Sequence, residues 1–245
     1  MRLPSRRFAV RALILAVPAL GWASRCPAAP PTDAAPVVIE LFTSQGCSSC
    51  PPADALLGEL AGRRNVVALA FHVDYWDSSG WRDRFSMAAA TRRQNGYVEA
   101  LRLESAFTPQ VVIGGNRSFV GSDRQGIGAA VAQGAVPGVP IEARVAGDDL
   151  VISLPDTGDL GSQDVELIAY LPQATTQVGR GENSGRTLTD FNIVRDFRRL
   201  GAWSGRAFTW RVPLKSLPSD ATRAAVLVRQ AHQGSIAGAV AINLR

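Results

Sequence analysis

The feature that most constrains this fold is a pair of cysteines two residues apart, Cys47 and Cys50, between segments of different periodicity. Residues 37–43 before them are apolar apart from Glu40, as a central strand covered on both faces requires. Residues 51–62 after them space their leucines as a helix does. A thiol in the first helical turn lies near unpaired N–H groups and the positive end of the helix dipole, and both favour the thiolate. The pattern therefore indicates a redox-active dithiol.

The N-terminus is typical of a secretory signal peptide, which we predict over residues 1–28. A basic region ends at Arg11, and the apolar run 12–23 is too short to span a bilayer. Residues 1–28 hold five arginines and no acid; the rest of the 245-residue chain has equal numbers of basic and acidic residues. This balance gives no electrostatic case for nucleic acid as a partner. We expect a periplasmic or secreted protein with no membrane span after signal removal.

The sequence changes character near residues 134–138. Before this point, strand and helix patterns follow each other in the order β-α-β-α-β-β-α, and the third strand is entered through Thr108-Pro109. After it, seven short strand candidates separated by Gly, Asp, Pro and Ser suggest a β-sandwich or barrel. We therefore predict two domains, over residues 36–136 and 139–245.

The first half resembles the thioredoxin fold over about residues 36–135, because its Cys-x-x-Cys follows the first strand and its Thr-Pro precedes the third. The resemblance implies that Pro109 is cis and lies against the reactive cysteine. The amino-acid sequence resembles still more closely a family of bacterial secreted proteins, described as domain of unknown function 1223. The matching segments are Glu40–Asp54, His72–Asp77, Thr108–Gln110, Arg180–Asn183 and Asn192–Arg195. The expected fold is thus an α/β thioredoxin-like domain followed by an all-β, sandwich-like domain; the family implies no established reaction.

Glu40 is a candidate proton carrier. It shares a strand face with Val38 and Phe42, and a carboxylate inside a central strand should titrate high. By resemblance to thioredoxins, it would take the proton of the resolving cysteine. The alternative is a strand carboxylate satisfied by a local hydrogen bond.

Three further side chains are candidates for substrate binding: Thr108 beside the proline, and Tyr75 and Trp76 in the aromatic loop after the second strand. The two aromatic residues could instead pack under the cysteine loop. Residues 180–183, flanked by glycine, are interpreted as a structural turn.

A metal site is a weaker interpretation. His72 precedes Asp74 and Asp77, but one histidine with two carboxylates and no third nitrogen is a poor zinc signature. A copper site formed by His72 and the cysteine pair stays open. We predict no metal and no cofactor, with His72 bonded to backbone.

The sequence thus favours an exported thiol–disulfide oxidoreductase that exchanges disulfides with protein thiols of the cell envelope. Cys47 would attack and Cys50 would resolve, as the helix-start position implies. The alternative is a non-enzymatic binding or envelope protein, on a thioredoxin-like scaffold, in which Cys47–Cys50 is a structural disulfide.

Overall fold

The computed structural model describes residues 35–134, 138–231 and 233–245. The predicted signal peptide and residues 135–137 lie outside them. The helices and strands, in chain order, are β1 Val37–Thr43, α1 Pro51–Ala61, β2 Val66–His72, α2 Ala88–Ala100, β3 Gln110–Ile113, β4 Arg117–Val120, α3 Arg124–Ala132, β5 Glu142–Ala146, β6 Asp149–Leu154, β7 Gln163–Gln177, β8 Thr187–Trp203, β9 Phe208–Pro213, β10 Arg223–Gln230 and β11 Ile236–Asn243. No described helix is both long and apolar enough to cross a membrane.

The predicted β-α-β-α-β-β-α order of the first half is confirmed. Two boundaries differ from the prediction. Helical spacing in the sequence predicts the second helix from about Asp83, but α2 begins at Ala88, because the Asp83 carboxylate accepts the backbone N–H of Phe85 and holds a loop there. The apolar run predicts the third strand from Phe107, but β3 begins at Gln110, after the proline.

Strands from both halves form one eight-stranded mixed sheet, in the order β11-β10-β7-β8-β2-β1-β3-β4. β1 and β2 are parallel, and β3 runs antiparallel to β1. The join between the halves is a parallel contact of β2 with β8, where Ala70 lies opposite Ile193. Beside it, the Asn192 side chain donates to the Ala68 carbonyl at 2.8 Å. A smaller sheet has the order β5-β6-β9.

The predicted fold class, a thioredoxin-like α/β domain followed by a separate all-β domain, is therefore wrong. The change in pattern near residues 134–138 marks a change in element type but not a break in the sheet. The physical reason is that the outer edge of β2 has unpaired backbone groups, which β8 partly satisfies. The described residues cluster as one compact unit.

Three apolar clusters cover the sheets. Ile39 and Leu41 of β1 pack against α1 and α3 on one face of the large sheet. Phe42 and its neighbours on the other face contact α2 and side chains of β7, β8, β10 and β11. A third cluster fills the space between the large and small sheets. Alternation along β1 therefore separates an α1 face from an α2 face.

Candidate functional site: the cysteine pair and its surroundings

Cys47 and Cys50 form a disulfide at the start of α1, with their Cα atoms 5.5 Å apart. Cys50 is the N-cap of the helix, and prolines occupy its first turn, where a missing N–H is tolerated. Both cysteines are 0% exposed, whereas Ser48 and Ser49 between them are exposed. The attacking role predicted for Cys47 requires an accessible sulfur, with Cys50 covered, and the burial of Cys47 does not agree with that expectation.

The loop between β7 and β8, residues 178–186, lies over the cysteine segment and is called here the cover loop. Its buried Asn183 donates through Nδ2 to the carbonyl oxygens of Gln45, at 3.0 Å, and Cys47, at 2.9 Å. The carboxylate of Glu182 accepts the N–H of Ser48 at 3.1 Å. Hydrogen bonding with the Ser48 side chain, and then with its N–H, lowers the pKa of Glu182. Residues interpreted from sequence as a structural turn thus contact the cysteine segment directly.

The Thr108–Pro109 peptide bond is cis, as predicted. A Cβ added at Gly121 would lie 2.7 Å from the Cβ atoms of both Pro109 and Ala53, so the backbone there packs between the proline and α1. On the other side, Trp76 Nε1 donates to Thr108 Oγ1 at 2.8 Å. The structure therefore brings the proline close to the helix that starts at the disulfide.

Trp76 also touches the cysteine segment, because a Cβ at Gly46 would lie 3.1 Å from the Trp76 Cβ. Tyr75 is 40% exposed, and its hydroxyl donates to Gln94 Oε1 at 3.2 Å. Partial burial raises the pKa of Tyr75. Gln94 in turn donates to the Phe107 carbonyl at 2.7 Å. The two aromatic residues thus border the proline loop.

A buried charged cluster lies below the cysteine segment. His72 Nδ1 and Asp83 Oδ2 are 2.7 Å apart, and the same carboxylate oxygen accepts the N–H of Gln45 at 2.8 Å. Burial alone would lower the pKa of His72, but the Asp83 carboxylate and its hydrogen bond raise it to about 9. The expectation that His72 bonds to backbone is wrong. Within the described ranges, no group of three or more His, Cys, Asp or Glu side chains is arranged to hold a metal ion.

Asp54, in the first turn of α1, is a titratable group that sequence reasoning missed. It is buried, and Thr43 Oγ1 donates to its Oδ1 at 2.7 Å. Burial raises the pKa of Asp54 to about 7, against the opposing charge of His72. Its backbone N–H bonds to the Cys50 carbonyl, so the two residues lie one helical turn apart, on the same face of α1.

The structure does not bring Glu40 to the cysteines. Glu40 lies on the α2 face of β1, where Arg93 binds both its oxygens, at 2.8 and 3.0 Å. Burial alone would raise the pKa of Glu40, but the Arg93 charge and hydrogen bonds hold it below its usual value. The expectation of a raised pKa is therefore wrong. Arg93 also binds Glu166 of β7 at 2.9 Å, so this network joins the two halves.

Sequence signals for the missed residues were weak. Asp54 stands in a first helical turn, where an acid is ordinarily explained by the helix dipole. Asp83 and Asp190 are single acids among other polar residues. Gln45 joins them: its Nε2 donates to Asp190 at 2.7 Å. The one sequence signal from the cover loop was the resemblance of residues 180–183 to the family sequence.

A comparison with known protein families assigns the chain to one of them. Residues 38–229 match the family described as "Protein of unknown function (DUF1223)". The chain belongs to the DUF1223 family. This confirms the relationship inferred from the sequence segments. No curated protein matches the chain.

Two solved structures are similar to this chain. The crystal structure of protein AGR_C_4864 from Agrobacterium tumefaciens is 32% identical, with a TM-score of 0.75, and the match covers 86% of this chain and 96% of that one. HBP35 of Porphyromonas gingivalis is 16% identical, with a TM-score of 0.57, over 86% of this chain and 76% of that one. At that lower identity the likeness shows the fold alone.

Proposed function

We propose that Cys47–Cys50 is a thiol–disulfide exchange centre acting on protein thiols. The observation that carries the proposal is Asp54: a buried carboxyl group one helical turn from Cys50, with its pKa raised to about 7 by burial. A group with a pKa near the working pH can both give and take a proton.

In the proposed reaction, disulfide exchange takes place in two steps. A substrate thiolate attacks the Cys47 sulfur, the Cys47–Cys50 bond breaks, and Cys50 leaves as a thiolate that takes a proton from the Asp54 carboxyl group. A second substrate thiol gives its proton to the Asp54 carboxylate and attacks the substrate sulfur, releasing Cys47 as a thiolate that is protonated by solvent. The substrate dithiol is oxidised and the cysteine pair is reduced. Run backwards, the same steps reduce a substrate disulfide.

The surroundings suit a polypeptide substrate. Trp76, Thr108 and the partly exposed Tyr75 lie beside the loop of the buried Pro109, near the helix that starts at the disulfide, and offer apolar and hydrogen-bonding surface. We propose a periplasmic or secreted location, on the basis of the signal-type N-terminus and because disulfides persist in oxidising compartments.

The test uses three variants. Cys50→Ser should trap mixed disulfides on Cys47 in cells, because the resolving thiol is lost, and Cys47→Ser should trap none. Asp54→Asn, in the otherwise native chain, should slow resolution of a preformed mixed disulfide by Cys50 by about 10²-fold at pH 7, and should slow the reverse attack of a substrate thiolate on the Cys47–Cys50 bond to the same extent, because both move the Cys50 proton through Asp54.

The matched control is Glu59→Gln, because Glu59 lies in the same helix but is exposed and bonds to Arg124. It should change neither step. If Cys50→Ser traps no partner and Asp54→Asn resolves a mixed disulfide at the native rate, the exchange function is refuted.

A second candidate function has its own observation: both cysteines are fully buried. In that case the chain is a non-enzymatic binding or envelope protein with a structural disulfide. The pair would then stay oxidised in millimolar glutathione, with a potential below about −300 mV. Its removal would lower the free energy of unfolding by roughly 2–4 kcal/mol. An exchange centre would equilibrate with glutathione instead.

A further inference from the structure

We propose that the cover loop occupies the place of a substrate backbone at the cysteine pair, and that an extended polypeptide must displace it before exchange. This inference rests on the proposed function. Exchange requires a substrate sulfur to reach the Cys47 sulfur, yet Cys47 is 0% exposed. Part of the protein must therefore move, and the contacts of the cysteine segment identify the cover loop as that part.

The groups that the cover loop binds are backbone groups. They are two acceptors, the carbonyl oxygens of Gln45 and Cys47, and one donor, the N–H of Ser48. The loop meets them with the amide N–H groups of Asn183 and the carboxylate of Glu182. An extended chain carries the same chemistry, an N–H and a C=O at each residue. A substrate backbone can therefore replace these contacts one for one.

The cover loop can move away from the cysteine segment at a low cost in free energy. Seven of its nine residues are exposed. The two buried residues are Val178, at the base of the loop, and Asn183, in its middle. Its own backbone bonds, from Val178 to Arg186 and from Gly185 to Val178, keep its shape independently of the cysteine segment. A segment with few buried apolar contacts opens at low free energy without unfolding the rest.

The closed loop also suppresses the chemistry of Cys47. The Glu182 carboxylate accepts the N–H of Ser48, the residue after Cys47, at 3.1 Å. A negative charge near a thiol disfavours the thiolate, and here it also occupies an N–H that could stabilise one. Displacement of the loop removes both effects together with the steric cover.

The first experiment measures how fast dithiothreitol reduces the disulfide in the full-length chain. Asn183→Ala removes two hydrogen bonds that hold the loop closed, each of which contributes about 1 kcal/mol. We expect reduction to be roughly 10-fold or more faster, because each 1.4 kcal/mol corresponds to a factor of ten. Glu182→Gln, which alters an exposed side chain, should give a smaller acceleration of about 2- to 5-fold by loss of one charge-assisted bond.

The matched control is Asn116→Ala, which removes an exposed asparagine bonded to Ser235, away from the cysteine segment. It should leave the rate within 2-fold. If Asn183→Ala does not fold, as judged by near-UV circular dichroism, Glu182→Gln decides. Reduction at the native rate in the folded loop variants would overturn the proposal.

The second experiment tests the substrate class. The probe is a ten-residue peptide with one cysteine, compared with the same peptide N-methylated at the two backbone positions that flank the cysteine. The wild-type chain should form the mixed disulfide at least 5-fold faster with the unmethylated peptide, whereas Asn183→Ala should discriminate less because its site is already open. Equal rates for the two peptides in the wild-type chain would overturn the polypeptide assignment.

The outcomes separate this inference from the proposed function. If Asn183→Ala exposes Cys47 to dithiothreitol but Cys50→Ser in that background captures no protein, the loop is a cover and the exchange function fails. If Cys50→Ser captures proteins and Asn183→Ala leaves the reduction rate unchanged, the function stands and the loop is no gate.

Discussion

At the scale of single residues, the Asp83 carboxylate decides the charge of His72. The His72 pKa is raised to about 9, so the stability from this pair is fully present below the ordinary histidine pKa of 6.5 and is lost as the pH rises through 9. Asp83→Asn should lower the free energy of unfolding at pH 6 by about 3–5 kcal/mol, because it leaves a buried cation unpaired. The loss of stability between pH 7 and 9 should disappear with it. Urea denaturation at several pH values measures both.

The control is Asp220→Asn, which breaks an exposed ion pair with Arg195. Such pairs contribute about 0–1 kcal/mol, so stability and its pH profile should be nearly unchanged. An Asp83→Asn variant that kept the native slope between pH 7 and 9 would contradict the assignment of that slope to His72.

At the scale of elements, α1 is positioned by a close contact with β8. A Cβ added at Gly58 would lie 2.6 Å from the Phe191 ring, so Gly58→Ala must push the helix or the ring away. We expect a loss of about 1–3 kcal/mol in the free energy of unfolding, as for other overpacked sites. Gly128 of α3 is the matched helical glycine, with nothing within 4 Å of an added Cβ. Gly128→Ala should instead stabilise by roughly 0.5–1 kcal/mol. Urea midpoints at constant slope give both values, and equal effects would refute the packing argument.

At the scale of the whole molecule, the two halves share a core. Phe42 and Phe71 of the first half pack in one cluster with Tyr170 and Leu227 of the second. An isolated fragment of residues 36–136 exposes this apolar face and the outer edge of β2. It should therefore lack fixed tertiary packing, with far-UV but no near-UV circular dichroism. A native-like near-UV spectrum from the fragment would show that the first half folds as a domain by itself.

The sequence was sufficient wherever the determining interactions are local. Hydrophobic periodicity predicted the element order of the first half, and the Cys-x-x-Cys spacing predicted that the two cysteines can pair. The resemblance to the thioredoxin fold implied the cis Thr108–Pro109 bond. The strand β1 was predicted to the residue, because an apolar run covered on both faces has few other structures available.

Long-range pairing was not readable from the sequence, and it decided the rest. Asn183 lies 136 residues from the Cys47 carbonyl that it binds, and Glu182 lies 134 residues from Ser48. No local pattern records such contacts, so two glycine-flanked polar residues were interpreted as a turn. The prediction of a raised pKa for Glu40 was wrong for a related reason: this pKa depends on Arg93, 53 residues away, as well as on the burial of Glu40.

By itself, therefore, the sequence determined which segments become strands and helices and where the two cysteines meet, because backbone preference and side-chain periodicity act within a few residues. Only the tertiary structure decided that β8 pairs with β2 to make one sheet, that the carboxyl group of Asp54 is buried, and that the cover loop closes over Cys47. Unpaired strand edges and buried charges are satisfied by whichever partners the fold brings to them, and those partners are distant in the chain.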